Sequence, residues 1–170
     1  MNPFSEYDKA SATHFNKTAI RTVPVMSWDF HQEFVSELLA VASDALRLQE
    51  IAKNFRWNDS WNFAEKLQQQ TILVTDSKLK IVFASENLTQ MNGYKEAEVL
   101  GQTPKMFQGK DTDLNASNAI RKAVENRKSF EAVILNYRKN GTTYNCHIQG
   151  FPVFDTTGNF CHFIAFETAA

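Results

Sequence analysis

Apolar residues recur at helical spacing between residues 29 and 56, with no glycine or proline to interrupt them. One apolar stripe advances by four and three residues through Phe34, Leu38, Val41, Ala45, Leu48, Ala52 and Phe55. A second stripe runs beside it through Val35, Leu39, Ala42 and Leu46. This spacing predicts a long helix and is also typical of coiled coils. Asp29 is placed to cap the helix, with Gln32 three residues later.

The two stripes allow two interpretations. One stripe can pack on the rest of the protein while the other packs on a helix of a second copy, which predicts a homodimer. Alternatively, both stripes form a single wide face that packs on the core. We favour a homodimer that forms through the helix over residues 29–56 and the sheet described below.

The flanking segments have weaker patterns. Residues 1–28 are polar and have no sustained period, so they predict a flexible arm. Residues 57–70 contain a break followed by a short helix, which Asp59 or Ser60 can cap. Residues 29–70 together are therefore predicted to form a helical extension.

From residue 71 onward the pattern predicts strands. The strand-like runs are residues 71–76, 81–85, 129–137, 142–154 and 159–168. The Asn140-Gly141 pair predicts a type I′ hairpin turn. Two strands, several helices and three strands in that order predict an α+β fold, with a five-stranded antiparallel sheet and short helices on one face. A ligand pocket is expected between those helices and the sheet.

Glycines separate the short helices in the middle of the chain. A helix over residues 86–92 precedes the first of them, and a longer helix over residues 113–127 follows the last, with Thr112 or Asp113 as its cap. The separating glycines are Gly93, Gly101 and Gly109. The apolar residues predicted to face inward from the longer helix are Leu114, Ala116, Ala119, Ile120, Ala123 and Val124.

Composition limits the possible partners. The 18 Lys and Arg residues nearly balance the 19 Asp and Glu residues, for a formal net charge of −1. This balance gives no reason to expect nucleic acid or an anionic membrane as a partner. No apolar run approaches membrane-spanning length, and the N-terminus lacks the pattern of a signal peptide. The sequence therefore predicts a cytoplasmic protein that binds neither nucleic acid nor membrane.

Catalytic and metal-binding motifs are weak. Cys146 and Cys161 lack CxxC or zinc spacing. Together with His147 and His162 they give no specific metal-site spacing, and neighbours such as Cys146 and His147 point to opposite faces of a strand. Since the sequence has no nucleophile–base set or phosphate-binding loop, we expect no enzyme.

Several motifs carry a family resemblance. They are Phe83-Ala84-Ser85, Gly93-Tyr94, Gly101, Gln108 to Asp113, and Asn136 to Gly141. Together they resemble PAS domains, and within that family the flavin-binding LOV branch. The resemblance covers residues 71–168 and assigns residues 71–170 to one domain. It implies a regulatory module that binds a small ligand or another PAS domain and signals through its flanking helices.

This chain differs from LOV domains at the residue that reacts with the light-excited flavin. LOV domains carry Gly-x-Asn-Cys-Arg-Phe-Leu-Gln-Gly where this chain has Gly-Gln-Thr-Pro-Lys-Met-Phe-Gln-Gly over residues 101–109. The cysteine that attacks the light-excited flavin therefore corresponds to Pro104. Because proline has no nucleophile, the usual thiol adduct is not expected.

The resemblance also implies contacts to the ring of a flavin. Gln108 and Asn136 match polar contacts of the family. Cys146 stands where the family has a second asparagine, and Glu167 stands where it has the glutamine that senses flavin N5. A thiol is a poor partner for an amide-like ring edge, and a buried carboxylate is costly unless it is protonated or paired.

Contacts to a flavin phosphate are altered as well. Lys105 and Asn118 stand in place of the two phosphate-binding arginines, and Arg121, one helical turn later, is a candidate substitute. The full set of predicted cofactor-binding residues is Thr103, Lys105, Gln108, Arg121, Asn136, Cys146 and Glu167.

The leading hypothesis is a non-enzymatic PAS signalling domain that acts through homodimer contacts or through a separate effector protein. The alternative is an FMN-binding, LOV-like blue-light or redox sensor that works by flavin photoreduction without a cysteinyl adduct. The candidate electron donors are Tyr94, Tyr137, Trp57 and Trp61. Haem-binding PAS domains place a histidine on the helices of the pocket. Haem is not expected here, because residues 86–127 contain no histidine.

Overall fold

The computed structural model describes residues 26–170, with side chains described at residue 32 and from residue 34 onward. A boundary between structural units falls between residues 37 and 38, and residues 38–170 form one compact unit. The helices are α1 (Met26–Asn54), α2 (Phe63–Gln69), α3 (Leu88–Asn92), α4 (Glu96–Val99) and α5 (Leu114–Glu125), with a 3₁₀ turn at Pro104–Phe107. The strands are β1 (Thr71–Asp76), β2 (Ile81–Ala84), β3 (Phe130–Tyr137), β4 (Thr143–Phe154) and β5 (Phe160–Ala169).

The five strands form an antiparallel sheet in the order β2-β1-β5-β4-β3. β1 and β5 join the first two strands to the last three, with Leu73 paired to Ala165 and Val74 to Ile164. The predicted α+β fold is therefore confirmed, and each predicted strand lies within one residue of its observed bounds.

An apolar core lies on each face of the sheet, because successive side chains of a strand point to opposite sides. Ile72 and Val74 of β1 belong to a buried cluster with residues of α1 and α2, and we call this side the outer face. Leu73 belongs to a second cluster with Leu88 of α3 and Phe107 of the 3₁₀ turn, on the inner face. The short helices thus cover the inner face, as predicted, and the helical extension covers the outer face.

α1 packs on the outer face through the first of its two apolar stripes. Ala45 and Leu48 are buried, at 6% and 0% exposure, whereas Leu39 and Leu46 of the second stripe are 65% and 66% exposed. Leu38, at the beginning of the packed segment, is also exposed. Between Val41 and Ala52 the first stripe therefore packs on the sheet while the second stripe faces solvent, which agrees with the two-surface interpretation. Phe55, at the end of the first stripe, is 50% exposed.

The beginning of α1 differs from the prediction. The helix is already formed at Met26, so Asp29 lies inside it and is not its cap. Of the predicted arm over residues 1–28, the first 25 lie outside the described residues and the last three are helical.

A polar network connects α1 with the end of β2 and with α4. The buried Asp44 carboxylate accepts a hydrogen bond from the Glu86 N–H at 2.7 Å. Arg47 bridges Asp44 at 3.2 Å and Glu96 of α4 at 2.6 Å. Glu96 in turn accepts a hydrogen bond from the Ala84 N–H at 3.3 Å. Since β2 is the edge strand, this network joins helices that lie on opposite faces of the sheet.

A buried tryptophan fixes the segment between α1 and α2. Trp57 Nε1 donates to Nδ1 of His162 on β5, at 3.1 Å. Asn62 caps α2 with its side chain, so the prediction of Asp59 or Ser60 as the cap was wrong.

Local turn chemistry was predicted correctly in two cases and wrongly in one. Gly93 ends α3 with a φ of 83°, and the Asp113 side chain caps α5. In the β3–β4 hairpin Gly141 has a φ of 85°, but Asn140 does not have a positive φ. The Gly141 N–H donates to the Arg138 carbonyl at 2.8 Å. The turn is therefore not type I′ and matches a hairpin loop in which a turn is followed by a left-handed glycine.

Replacement of Leu48 by alanine tests the docking of α1. Because the side chain is fully buried, we expect a loss of about 2–5 kcal/mol in the free energy of unfolding. Leu46→Ala is the matched control, since Leu46 lies on the same helix but is exposed, and its effect should stay below about 0.5 kcal/mol. Urea denaturation at the lowest practical protein concentration measures both values. Equal losses in the two variants would contradict the observed orientation of α1.

Candidate functional site

A cavity of about 360 Å³ lies between the inner face of the sheet and α5. Its apolar walls are formed by Leu73, Phe107, Ile120, Val124, Ile134, Ile148 and Phe163. Small-molecule sites commonly have volumes of about 300–1,000 Å³ and a mostly apolar lining with a few polar groups. The cavity is therefore the candidate ligand site, at the place where the sequence predicted a pocket.

α5 covers the cavity without filling it. Ile120 and Val124 line the cavity and are only half-buried. No residue of α5, which the structure describes in full, is completely buried. Leu114 is 75% exposed and Ala119 is also exposed, so the prediction that both face inward was wrong. The helix crosses a hollow space, and its inner side therefore has fewer neighbours than a helix over a packed core.

Three buried polar side chains line the cavity. Thr75, Asn136 and Glu167 are 6%, 4% and 4% exposed. Among the described residues, Thr75 Oγ1 and Asn136 Oδ1 have no hydrogen-bond partner. A buried polar atom without a partner costs about 1–3 kcal/mol, so these groups favour a ligand with polar atoms of its own.

Glu167 is the acidic group of the cavity wall. Its Oε2 accepts a hydrogen bond from the Cys146 thiol, with Sγ at 3.6 Å. Burial raises the pKa of Glu167 to about 7, and the thiol lowers it only in part. Burial, together with the neighbouring Glu167 carboxyl, also raises the pKa of Cys146. Both groups therefore carry their protons at mildly acidic pH.

Pro104 and Thr103 form another part of the lining. Pro104 occupies the beginning of the 3₁₀ turn, a position that suits proline because no N–H is left there without a partner. Its correspondence to the LOV adduct cysteine stays a prediction. The side chain at this position of the wall carries no thiol.

Three exposed cationic residues also belong to the lining: Lys78, Lys105 and Arg121. Arg121 lies 3.7 Å from Glu125 in a loose ion pair. Among the side chains that the structure describes, none that is acidic forms an ion pair with Lys78 or Lys105. Three cations from three different elements suit an anionic group at the exposed end of a ligand.

Six of the seven predicted cofactor-binding residues line this single cavity. They are Thr103, Lys105, Gln108, Arg121, Asn136 and Glu167. Cys146 is fully buried on the inner face beside the cavity, where it packs with Ile134 and Tyr144 and contacts Glu167, but it does not line the cavity. Gln108 is held by Ser117 Oγ, which donates to its Oε1 at 2.8 Å. The roles of all seven toward a cofactor stay predictions.

Sequence reasoning missed Thr75 and Lys78. Thr75 lies in an almost continuous run of apolar residues, and only the register of β1 shows that it faces inward with Leu73. Lys78 belongs to the turn between β1 and β2, where Leu79 adopts a φ of 61°. The available signal for Lys78 was its place in a polar turn directly after β1, whose side chains Leu73 and Thr75 line the cavity.

The four aromatic residues considered as electron donors lie in different places. Trp57 and Trp61 belong to the outer-face cluster, across the sheet from the cavity. The Tyr137 hydroxyl donates to Asp111 at 2.7 Å. Tyr94 packs on Phe107 with ring centroids 5.6 Å apart, and Phe107 lines the cavity. A single side chain therefore separates Tyr94 from the candidate site.

Among the side chains that the structure describes, no three of His, Cys, Asp or Glu cluster in a way that could hold a metal ion. Within residues 26–170, no helix has the length and apolar character needed to cross a membrane. The predicted cytoplasmic location stays a prediction.

Comparison with known proteins places these observations in a family. A sequence model of the PAS domain matches residues 69–168. The chain is 36% identical to phototropin-2 of Oryza sativa subsp. japonica over 102 residues, which are 58% of this chain and 11% of phototropin-2. It is 31% identical to a blue-light-activated histidine kinase of Brucella anthropi over 105 residues, 60% of this chain and 21% of the kinase. The chain thus spans only a small part of these relatives.

Solved LOV domains share the fold. The light-state structure of the blue-light photoreceptor Aureochrome1 LOV superposes with a TM-score of 0.58 and 29% identity, covering 65% of this chain and 89% of that one. The light-state dimer of the fungal blue-light photoreceptor Vivid superposes with a TM-score of 0.56 and 28% identity, covering 58% of this chain and 76% of that one.

The five-stranded sheet with its short helices agrees with the fold of these relatives. Because the family model covers more than half of the chain, the assignment depends on the whole sheet and not on a short motif. The chain belongs to the PAS domain family, and LOV domains are among its relatives and structural neighbours.

Proposed function

We propose that this chain is a sensory signalling module whose input is a small molecule bound in the inner-face cavity. The observation that supports this function is the set of buried polar groups in the cavity wall, above all Asn136, whose Oδ1 has no partner among the described residues. Packing alone does not account for such groups, because an apolar residue in the same place would remove the cost of desolvation.

The ligand we propose is a flavin, with FMN as the first candidate. A flavin has a flat apolar ring, one polar edge and, in FMN, a phosphate. The cavity has matching parts: apolar walls, buried polar side chains at Asn136 and Glu167, and cations at Lys78, Lys105 and Arg121. Relatives described as blue-light-activated support the same choice.

Pro104 restricts the chemistry of such a sensor. A bound flavin would supply blue-light absorption and electron-transfer chemistry. Because proline lines the wall where the family resemblance places a cysteine, we propose that signalling proceeds without a thiol adduct. Cys146 does not replace that cysteine, because it does not line the cavity and its raised pKa disfavours the nucleophilic thiolate.

For the output we propose a homodimer in which the exposed stripe of α1 packs on a second copy of this chain. Leu39 and Leu46 are exposed and lie on the side of the helix opposite the buried Ala45 and Leu48. The stripe has coiled-coil spacing, which allows two such helices to pack together. The structural neighbour Vivid forms a light-state dimer, which supports an assembly of two copies.

We propose no catalytic activity for the chain itself. A separate effector protein is the alternative receiver of the signal.

Ligand binding is tested by incubating the purified protein with FMN, removing excess ligand and recording the absorption spectrum before and after blue light. We expect the structured blue-region band of protein-bound flavin, and no conversion to a thiol-adduct spectrum. Ala165→Leu should weaken binding by at least about 10-fold, since Ala165 lines the cavity and a larger side chain there occupies ligand space.

Val133→Leu is the control for this variant, because Val133 is 56% exposed and does not line the cavity. Absence of flavin absorption at saturating FMN would refute the flavin proposal. Equal binding by the Ala165→Leu variant would show that any flavin binds elsewhere.

Dimerisation is tested with a Leu39→Glu, Leu46→Glu double variant. Each leucine buried in an interface contributes about 1.5–3 kcal/mol, so the dimer dissociation constant should rise at least about 100-fold. Analytical ultracentrifugation over a concentration series measures this change. Leu114→Glu serves as the control, because Leu114 is 75% exposed and lies on α5. A wild-type monomer at all concentrations, or an unchanged dimer in the double variant, would contradict the proposed interface.

A further inference from the structure

Glu167 occupies an unusual position for an acidic residue. It lies within β5, where its backbone pairs with Thr71 of β1 and Ile148 of β4, and its side chain is 4% exposed. Among the described residues, its carboxyl has the Cys146 thiol as hydrogen-bond partner, at 3.6 Å. A thiol is a weak donor, so the protein itself satisfies the carboxyl oxygens poorly.

The groups that face Glu167 provide no positive charge. From β4 these groups are Cys146 and Tyr144, and burial raises the pKa of both, so each stays neutral. From β1 the paired residue is Thr71, which is buried and uncharged. A carboxylate at this place would therefore be desolvated by neutral neighbours on both adjacent strands.

The cations of the cavity do not neutralise Glu167 either. Lys78, Lys105 and Arg121 belong to the lining, but within residues 26–170 none of them forms an ion pair with Glu167. Because a buried carboxylate without a counter-ion is costly, the carboxyl keeps its proton up to about neutral pH, in agreement with its pKa of about 7.

We propose that Glu167 carries a proton at mildly acidic to neutral pH and donates it in a hydrogen bond that selects ligands with an acceptor, such as a carbonyl oxygen or an aromatic ring nitrogen, facing β5. This inference rests on the proposed function, because it takes the cavity as the ligand site. Once deprotonated, Glu167 can only accept hydrogen bonds and repels the same ligand atom. Occupancy of the cavity therefore falls as the pH rises through neutrality.

Cys146 acts as a positioning residue for this carboxyl. Its S–H donates to Oε2, which leaves the other carboxyl oxygen to carry the acidic proton. A stronger donor at this position would stabilise the carboxylate. Cys146→Asn should therefore move the pH midpoint of ligand binding below that of the wild-type protein, whereas a merely structural role for Cys146 would leave the midpoint unchanged.

Riboflavin titrations over about pH 5.5 to 8.5 test the proposal. Riboflavin carries the flavin ring without the phosphate of FMN, whose own titration near about pH 6 would interfere. For the wild-type protein the dissociation constant should rise by up to about 10-fold per pH unit above the midpoint. Glu167→Gln keeps a donor at every pH and should give a flat profile, and Glu86→Gln, at an exposed glutamate, should keep the wild-type profile.

A second measurement needs no ligand. Since the folded-state pKa of Glu167 is raised above its unfolded value, the stability that protonated Glu167 contributes is fully present below about pH 4.5 and is lost as the pH rises through about 7. The wild-type protein should therefore lose stability over this window relative to Glu167→Gln, in thermal unfolding at matched ionic strength.

The outcomes separate this proposal from the proposed function. If neither riboflavin nor FMN binds at any pH, the flavin proposal fails, and the stability difference alone decides whether Glu167 retains its proton. If riboflavin binds equally well across the range, or if the two stability curves stay parallel, the assignment of Glu167 as a proton donor is overturned.

Discussion

The pairing of β1 with β5 is the constraint on which the rest of the molecule depends. Both strands lie inside the sheet, so their side chains must be covered on two faces at once. On the outer face, α1 and α2 cover Ile72, Val74 and Phe166 with apolar side chains. On the inner face the covering helices are short and α5 contributes no completely buried residue. The outer face of these strands is therefore closely packed, whereas part of their inner face borders a cavity.

Much of this arrangement follows from the sequence, because it depends on periodicity. Short apolar runs within residues 71–76 and 159–168 identify the central strands, and the two stripes of α1 predict one packed and one exposed side. The errors occur where one residue depends on distant partners. Leu114 has the spacing of an inward residue, but it is 75% exposed at the beginning of α5. Asn140-Gly141 is a strong hairpin signal, yet the hairpin requires a positive φ only at Gly141.

The candidate site was predictable to the extent that a family pattern identified positions, and six of seven positions do line one cavity. Thr75 was not found because a threonine inside a strand carries no local mark of the face it occupies. That Cys146 does not line the cavity also could not be predicted, since alignment gives a position along a strand and not which neighbouring side chains cover it. A side chain beside the cavity acts on the site through its neighbour, as the contact between Cys146 and Glu167 shows.

The polar network at the end of β2 has a consequence for local opening motions. The backbone amides of Ala84 and Glu86 donate to carboxylates of Glu96 and Asp44 instead of to another strand. Arg47 of α1 holds both carboxylates in place. Exchange of the Glu86 amide hydrogen with solvent therefore requires its hydrogen bond to Asp44 of α1 to open, although Glu86 does not belong to that helix. The exchange rate of this amide reports on the docking of α1, and thereby on any signal that crosses from the cavity layer to the outer face.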